Sequence, residues 1–410
     1  MGVYTRTQSA KKIFFQTLAL FSLVSLTRAD AVRGISPSTK AVDDGSWKFT
    51  EKDPNANSTG IPFMFVNNCS ETLWPALGTQ HGARPVTQGF ELKSGQNETV
   101  WVQPGWAGRM WARTNCSFPA SLPGHRACET GDCRGDLDCV VSGLTPATLA
   151  EILTGDQGGT SFYDISLVDG YNLDMAISLI DNEQSGMRSA LPPNRTNPSC
   201  VASVANFVED DTFNPYNTSQ TVFLGTNQSY PLAFNRAVTR QQISRWCPWD
   251  LQAFPPTKPG DGVYPYPDDN IQRPVFQPCF SQCGKYNEPQ YCCTGAFKDR
   301  GACKSSLYTN NAKKICPDAY SFAHDDQKST FTVQTGVGFQ ITMCPGGKST
   351  KILETVRNVA AAEKKNLQPR SAVVKSQASS AGAHAESSTP PFILLTGAAL
   401  IVVACVFSSL

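Results

Sequence analysis

CETGDCRGDLDC (residues 128–139), TLAE (148–151) and FYDISLVDG (162–170) belong to one continuous stretch, from Cys128 to Gly170, around which the rest of the chain is read. Cys128, Cys133 and Cys139 lie close enough to close small loops. The spacing from Thr148 to Glu151 then reads as a capped helical start. A run of β-branched and aromatic residues follows as a strand and ends on the turn dipeptide Asp169-Gly170. Glu151, Asp164 and Asp169 thus sit within a few residues of structural fixtures, which constrains where their carboxylates point.

The two ends of the chain speak to compartment. A basic patch (Arg6, Lys11, Lys12) precedes an apolar run from Ile13 to Leu26, and small residues follow at Thr27, Ala29 and Ala31. That order predicts a secretory signal peptide over residues 1–29, and the apolar run is short for a membrane anchor. At the other end Phe392–Phe407 is apolar, only Ser-Ser-Leu follows, and no Lys or Arg stands after it. Small residues around Ser379–Gly382, a polar spacer and this tail predict a glycosylphosphatidylinositol (GPI) signal, with Ser380 as attachment site and residues 392–410 removed.

The sequence has 15 cysteines, and losing Cys405 with the tail leaves an even number for an oxidising compartment. The Cys279/Cys283 and Cys292/Cys293 clusters lack a matching His pair, so no metal and no cofactor is expected. Sequons at Asn57, Asn97, Asn194, Asn217 and Asn227 predict N-glycans. Those at Asn68 and Asn115 carry Cys as the middle residue and are poorer candidates. The formal charge of +1, with no long basic run, gives no electrostatic case for nucleic acid.

Residues 30–60 read as a polar linker. Order is expected from Ile61, where IPFMFV opens a series of strand-like runs: Thr72–Trp74, Phe90–Leu92 and Thr99–Val102. Each is bounded by Gly, Asn or Pro, the pattern of an antiparallel β-sandwich. Arg109, Trp111 and Arg113 alternate with Met110 and Ala112, which gives one strand face a basic and aromatic character.

FVNNC (65–69), RMWARTNC (109–116), the 128–139 run, YCCTG (291–295), CPDAYSF (316–322) and MCP (343–345) together resemble the thaumatin-like family, of the pathogenesis-related family 5 type, over residues 61–346. Arg126 departs from the usual Gly or Phe just before the cysteine run. The resemblance implies a mainly β fold: a flattened antiparallel β-sandwich core, a disulfide-rich and partly helical second domain, and a small third one. It also implies the pairs Cys69–Cys344, Cys116–Cys128, Cys133–Cys139, Cys200–Cys316, Cys247–Cys279, Cys283–Cys292 and Cys293–Cys303. An eighth family bridge, expected near Arg195 and Val333, lacks both cysteines. That loss, the long segments Val201–Trp246 and Pro248–Pro278, and an enlarged subdomain over residues 200–316 look more like fungal than plant members. A short helix (Ile352–Lys365) opens a Ser/Ala-rich stalk over residues 347–391.

The family carries an acidic cleft between core and second domain. By position the resemblance implies Arg109, Asp164 and Asp318 as substrate-binding residues, with Glu151 as catalytic acid and Asp169 as its ionised partner. Asp174 would add a further carboxylate to the cleft. Glycoside hydrolysis needs one protonated and one ionised carboxyl flanking the bond, and clustered carboxylates raise the pKa of one another. On a regular strand Asp164 and Asp169, five residues apart, would face opposite ways unless the turn intervenes. The implied partner is β-1,3-glucan or another wall polysaccharide, held by a monomer tethered to the membrane through its GPI anchor. Weak endo-β-1,3-glucanase activity in wall remodelling is the catalytic extension. A non-catalytic carbohydrate-binding protein and a defence or antifungal protein are the alternatives. Asp132 reads as a loop hydrogen-bonder, and Trp101, Trp106 and Trp111 as sandwich core before sugar platforms.

Overall fold

The computed structural model describes residues 60–118, 126–156, 159–182, 192–203, 213–214, 223–226, 228–229, 231–254 and 278–367. The signal peptide, the 30–59 linker, Ser380, the apolar tail, Asn57, Asn217 and Asn227 lie outside them, as does most of the 201–278 region.

Among the described residues, alternating apolar runs between turn residues give ten strands: β1 (Ile61–Asn67), β2 (Leu73–His81), β3 (Asn97–Val102), β4 (Ala107–Thr114), β5 (Leu149–Leu153), β6 (Thr160–Ser166), β7 (Met175–Ile180), β8 (Ser199–Cys200), β9 (Phe331–Gln334) and β10 (Gly338–Met343). They form two five-stranded sheets, ordered β3-β1-β10-β7-β8 and β2-β4-β5-β6-β9. All neighbours run antiparallel except β1 and β10, which pair parallel from Phe63↔Phe339 to Asn67↔Met343. Cys69–Cys344 staples the ends of that pair. Phe63, Phe65, Leu77, Met110, Ile152, Tyr163 and Phe339 are buried in one continuous core.

Short helices fill the rest: α1 (Pro193–Thr196), α2 (Arg240–Ser244), α3 (Gln282–Tyr286), α4 (Pro289–Cys292), α5 (Leu307–Ile315) and α6 (Ile352–Leu367). All seven expected disulfides are present. A ring nitrogen of His324 lies near the sulfurs of Cys293 and Cys303, but those sulfurs are bonded to each other and offer no thiolate to a metal.

Two expectations need correction. The capped helical start at Thr148–Glu151 is a strand: the Thr148 hydroxyl donates to the Leu173 carbonyl and accepts from the Asn172 amide, and so does not cap a helix. Its neighbours Leu149–Leu153 are flanked by β4 and β6, whose backbones satisfy theirs. The stalk also starts later than residue 347. Lys348, Ser349 and Thr350 are buried, and Ser199 and Val201 hydrogen-bond this segment.

Candidate functional site

The candidate site is a row drawn across one sheet. Register places Arg109 (β4) opposite Glu151 (β5), and Glu151 opposite Asp164 (β6). Directly opposed residues share a face and bring their side chains within reach, so three charged groups line up on neighbouring strands. Asp169 joins from the turn beyond β6. Gly170 there adopts φ +98°, and a Cβ would meet the Cys279 carbonyl at 2.5 Å, so only glycine allows this turn. The turn removes the parity objection: Asp169 swings back to the face that carries Arg109.

Arg109 holds the row together. Its Nη2 lies 3.2 Å from Glu151 Oε1, and its Nη1 donates to Asp169 Oδ2 at 3.3 Å. The side chains of Arg109 and Glu151 are 14 % and 11 % exposed, while that of Asp169 is 26 % exposed, so the row opens outward at Asp169. Inside, satisfaction is incomplete. Arg109 Nε and Asp164 Oδ1 are buried with no hydrogen-bond partner among the described residues, and Glu151 Oε1 is buried with only its ion pair to Arg109.

Three carboxyls around one guanidinium in a poorly hydrated place cannot all ionise cheaply. Burial raises the Glu151 pKa, Arg109 pulls it down, and Asp169 pushes it up again. Asp164 is raised well above the ordinary carboxylate range by burial first and Glu151 second. Burial also raises Asp169, against the opposing pull of Arg109. The row therefore retains protons at pH values where a solvated carboxylate has none.

A second network borders Asp164. Lys313 on α5 pairs with Asp325 at 2.5 Å and donates to Ser329 Oγ at 2.8 Å. The Tyr320 hydroxyl donates to Asp326 Oδ1 at 2.9 Å. Lys313 and Asp326 both act electrostatically on Asp164. Sequence reading assigned none of these five residues to the site. The adjacent Asp325-Asp326 pair, just beyond CPDAYSF, was the available signal.

Asp318 is not part of this row. It is buried, and its two oxygens accept the backbone amides of Ile352 at 2.7 Å and Leu353 at 3.0 Å, which caps the start of α6. Asp174 is likewise not a cleft carboxylate. Its Oδ1 accepts the Tyr171 hydroxyl and the amides of Ala202 and Ser203. Asp132 is the loop organiser expected, accepting from Ala127, Cys128 and Gly135. Trp106 and Trp111 are buried, with their indole nitrogens bonded to Thr79 and Gly131, and have no face for a sugar. Of the described sequons, Asn97 is half-buried on β3, and Asn194 on α1 donates to the Pro231 carbonyl at 3.4 Å.

Residues 67–345 match the model of the Thaumatin family. The chain belongs to that family. It is 34 % identical over 286 residues to thaumatin-like protein 1 of Pyrus pyrifolia, covering 69 % of this chain and 90 % of that protein. To pathogenesis-related protein 5 of Arabidopsis thaliana it is 33 % identical over 283 residues, covering 69 % and 90 %. Among solved structures, a thaumatin-like xylanase inhibitor is 29 % identical over 29 % of this chain and 76 % of that one, with a TM-score of 0.25. In this thaumatin-family chain the sheet carrying β4, β5 and β6 is the platform for the acidic row, and the seven disulfides suit an oxidising compartment.

Proposed function

We propose that this protein binds β-1,3-glucan along the Arg109–Glu151–Asp164–Asp169 row, as a secreted protein tethered to the cell surface, with weak endo-β-1,3-glucanase activity as the extension of binding. The observation that carries the proposal is the row itself: buried charges with unused hydrogen-bonding capacity, opening outward at Asp169. A sugar chain presents many hydroxyls, each able to donate and accept. It satisfies such groups where a small apolar ligand would not.

The hydrolytic step assigns Glu151 as the acid that protonates the departing glycosidic oxygen, because burial raises its pKa above the ordinary carboxylate value and so favours the protonated form. Asp169, the more exposed of the two carboxyls paired to Arg109, supplies the ionised partner. Relatives named for pathogenesis support a defence-related role. A GPI tether at Ser380 would instead keep this protein on its own cell, which favours wall glucan as target.

The test is reducing-end release from purified β-1,3-glucan, beside a direct binding assay, with wild type and Glu151→Gln. The amide keeps size but delivers no proton, so turnover drops by roughly 10²–10⁴-fold while affinity changes little. Turnover retained by Glu151→Gln would end the catalytic assignment, and absence of binding by the wild type would end the glucan reading. For the tether, phosphatidylinositol-specific phospholipase C should release the protein from membranes and ethanolamine should label it. An unlabelled protein that keeps its tail peptide would reject the anchor.

A further inference from the structure

We propose that Tyr286 and Tyr291 form a sugar-stacking subsite on the second domain, which grips a glucan chain beyond the acidic row; this rests on the glucan reading above. Both tyrosines are presented by a rigid pair of short helices. Ser281 caps α3 by accepting the Gly284 amide at 2.8 Å, Asn287 ends it at φ 51°, and Pro289 starts α4. The Cys283–Cys292 disulfide ties α3 to α4. The two rings it brings together lie 5.9 Å apart between centroids, tilted by 46°.

Tyr286 is the exposed member, with 40 % of its surface free. An exposed tyrosine ordinarily moves through its rotamers, but this one is held. Its hydroxyl donates to Asp250 Oδ2 at 2.7 Å. Lys285 Nζ stands 5.8 Å over the ring and also donates to the Asp250 carbonyl. Lys285 covers one face of the ring, and the part left exposed, fixed before the ligand arrives, loses little entropy on binding. Asp250 and Lys285 stand beside it as acceptor and donor for hydroxyls. The apolar C–H face of a pyranose on the ring, with its hydroxyls reaching the flanking charges, matches this set of groups.

Position connects the platform to the row. Cys279 exchanges both backbone hydrogen bonds with Tyr171, at 2.8 and 2.7 Å, immediately after the Asp169-Gly170 turn. Thr145 Oγ1 donates to the Gly284 carbonyl at 3.0 Å, which seats α3 on the same loops. From Ser281, beside Gly170, five residues of helix carry the chain about 8 Å to Tyr286. A polymer entering the row at its exposed Asp169 end has the platform within a few sugar units, whereas a short oligosaccharide in the row does not reach it.

Chain length is therefore the readout. The full-length chain, expressed in a secretory host and purified as processed, is titrated with short and long β-1,3-gluco-oligosaccharides as wild type, Tyr286→Ala and Tyr286→Phe. Tyr286→Ala should weaken the long oligosaccharide about 10-fold, the size of one aromatic contact, and leave the short one unchanged. Tyr286→Phe keeps the stacking face but loses the Asp250 hydrogen bond that holds it, so its long-chain affinity should fall between those of wild type and Tyr286→Ala. If the wild type binds and Tyr286→Ala binds long chains equally well, the platform is refuted while the row stands. Equal losses on short and long chains would also refute it, since the side chain would then act on the row. A wild type that binds neither length overturns the glucan reading and the platform with it.

Discussion

Arg109 and Arg113 stand four residues apart on the same face of β4, and the protein treats them in opposite ways. The Arg113 guanidinium is sealed: it donates to the carbonyls of Trp74, Pro75, Asp136 and Leu137. Burial holds its pKa down to about 10 against the raising influence of Asp132 and Asp138. Arg109 finds only two carboxylates, at 3.2 and 3.3 Å, and leaves its Nε unbonded among the described residues. A buried charge whose every donor is used is a structural rivet. One left short of partners destabilises the fold, and is kept where something outside the fold completes it.

The largest expected effect tests that contrast. Arg113→Met leaves four carbonyls, two on β2 and two in the 136–137 loop, without their donor and should cost about 3–5 kcal/mol, read as a drop in the chemical unfolding midpoint. Arg109→Met should cost far less, because the three carboxyls can take up protons instead. If the two variants lose equal stability, Arg109 is a rivet as well and the contrast collapses.

A smaller effect separates the two kinds of aspartate. Asp318 caps α6, so Asp318→Ala should cost about 1–2 kcal/mol through the loss of its two backbone hydrogen bonds, with glucan affinity unchanged. Asp164 is expected to behave in the reverse sense. Its folded-state pKa lies above the unfolded value, so between those values the native state binds more protons than the unfolded one. Stability must then fall as pH rises through that window, starting near the ordinary value of about 4. Asp164→Asn removes this penalty. The variant should melt with wild type at low pH and progressively above it as pH rises towards neutrality; a constant offset across the pH range would mean that Asp164 does not titrate in the fold.

How much of this was legible in the sequence follows from the same physics. The strands and the burial of Trp106 and Trp111 were readable because alternation is a one-dimensional signal, whereas Trp101 proves only half-buried; the disulfide pairs followed from the family resemblance, since spacing alone does not fix connectivity. Thr148–Glu151 was misread because a Thr followed three residues later by Glu fits a capping box, while the Asn172 and Leu173 backbone that claims the hydroxyl lies 24 and 25 residues away. Asp318 was misassigned for a related reason: its partners, Ile352 and Leu353, are more than thirty positions on. Arg109, Glu151 and Asp164 could each be named from their motifs. Their alignment in one row depends on register, which only strand pairing fixes. Lys313 and Asp326 became visible as neighbours of Asp164 only when α5 and the 325–326 loop were folded against β6.

The under-bonded charges around Arg109, and not the fully bonded ones, form the proposed ligand site. Calorimetric titration of a β-1,3-gluco-oligosaccharide into the wild type, the Arg109→Met/Asp164→Asn double variant and Asp318→Ala tests it most directly. Binding by the wild type, at least 10-fold weaker binding by the double variant and unchanged binding by Asp318→Ala are the predicted results. Equal affinity in all three proteins, or a loss confined to Asp318→Ala, would contradict it.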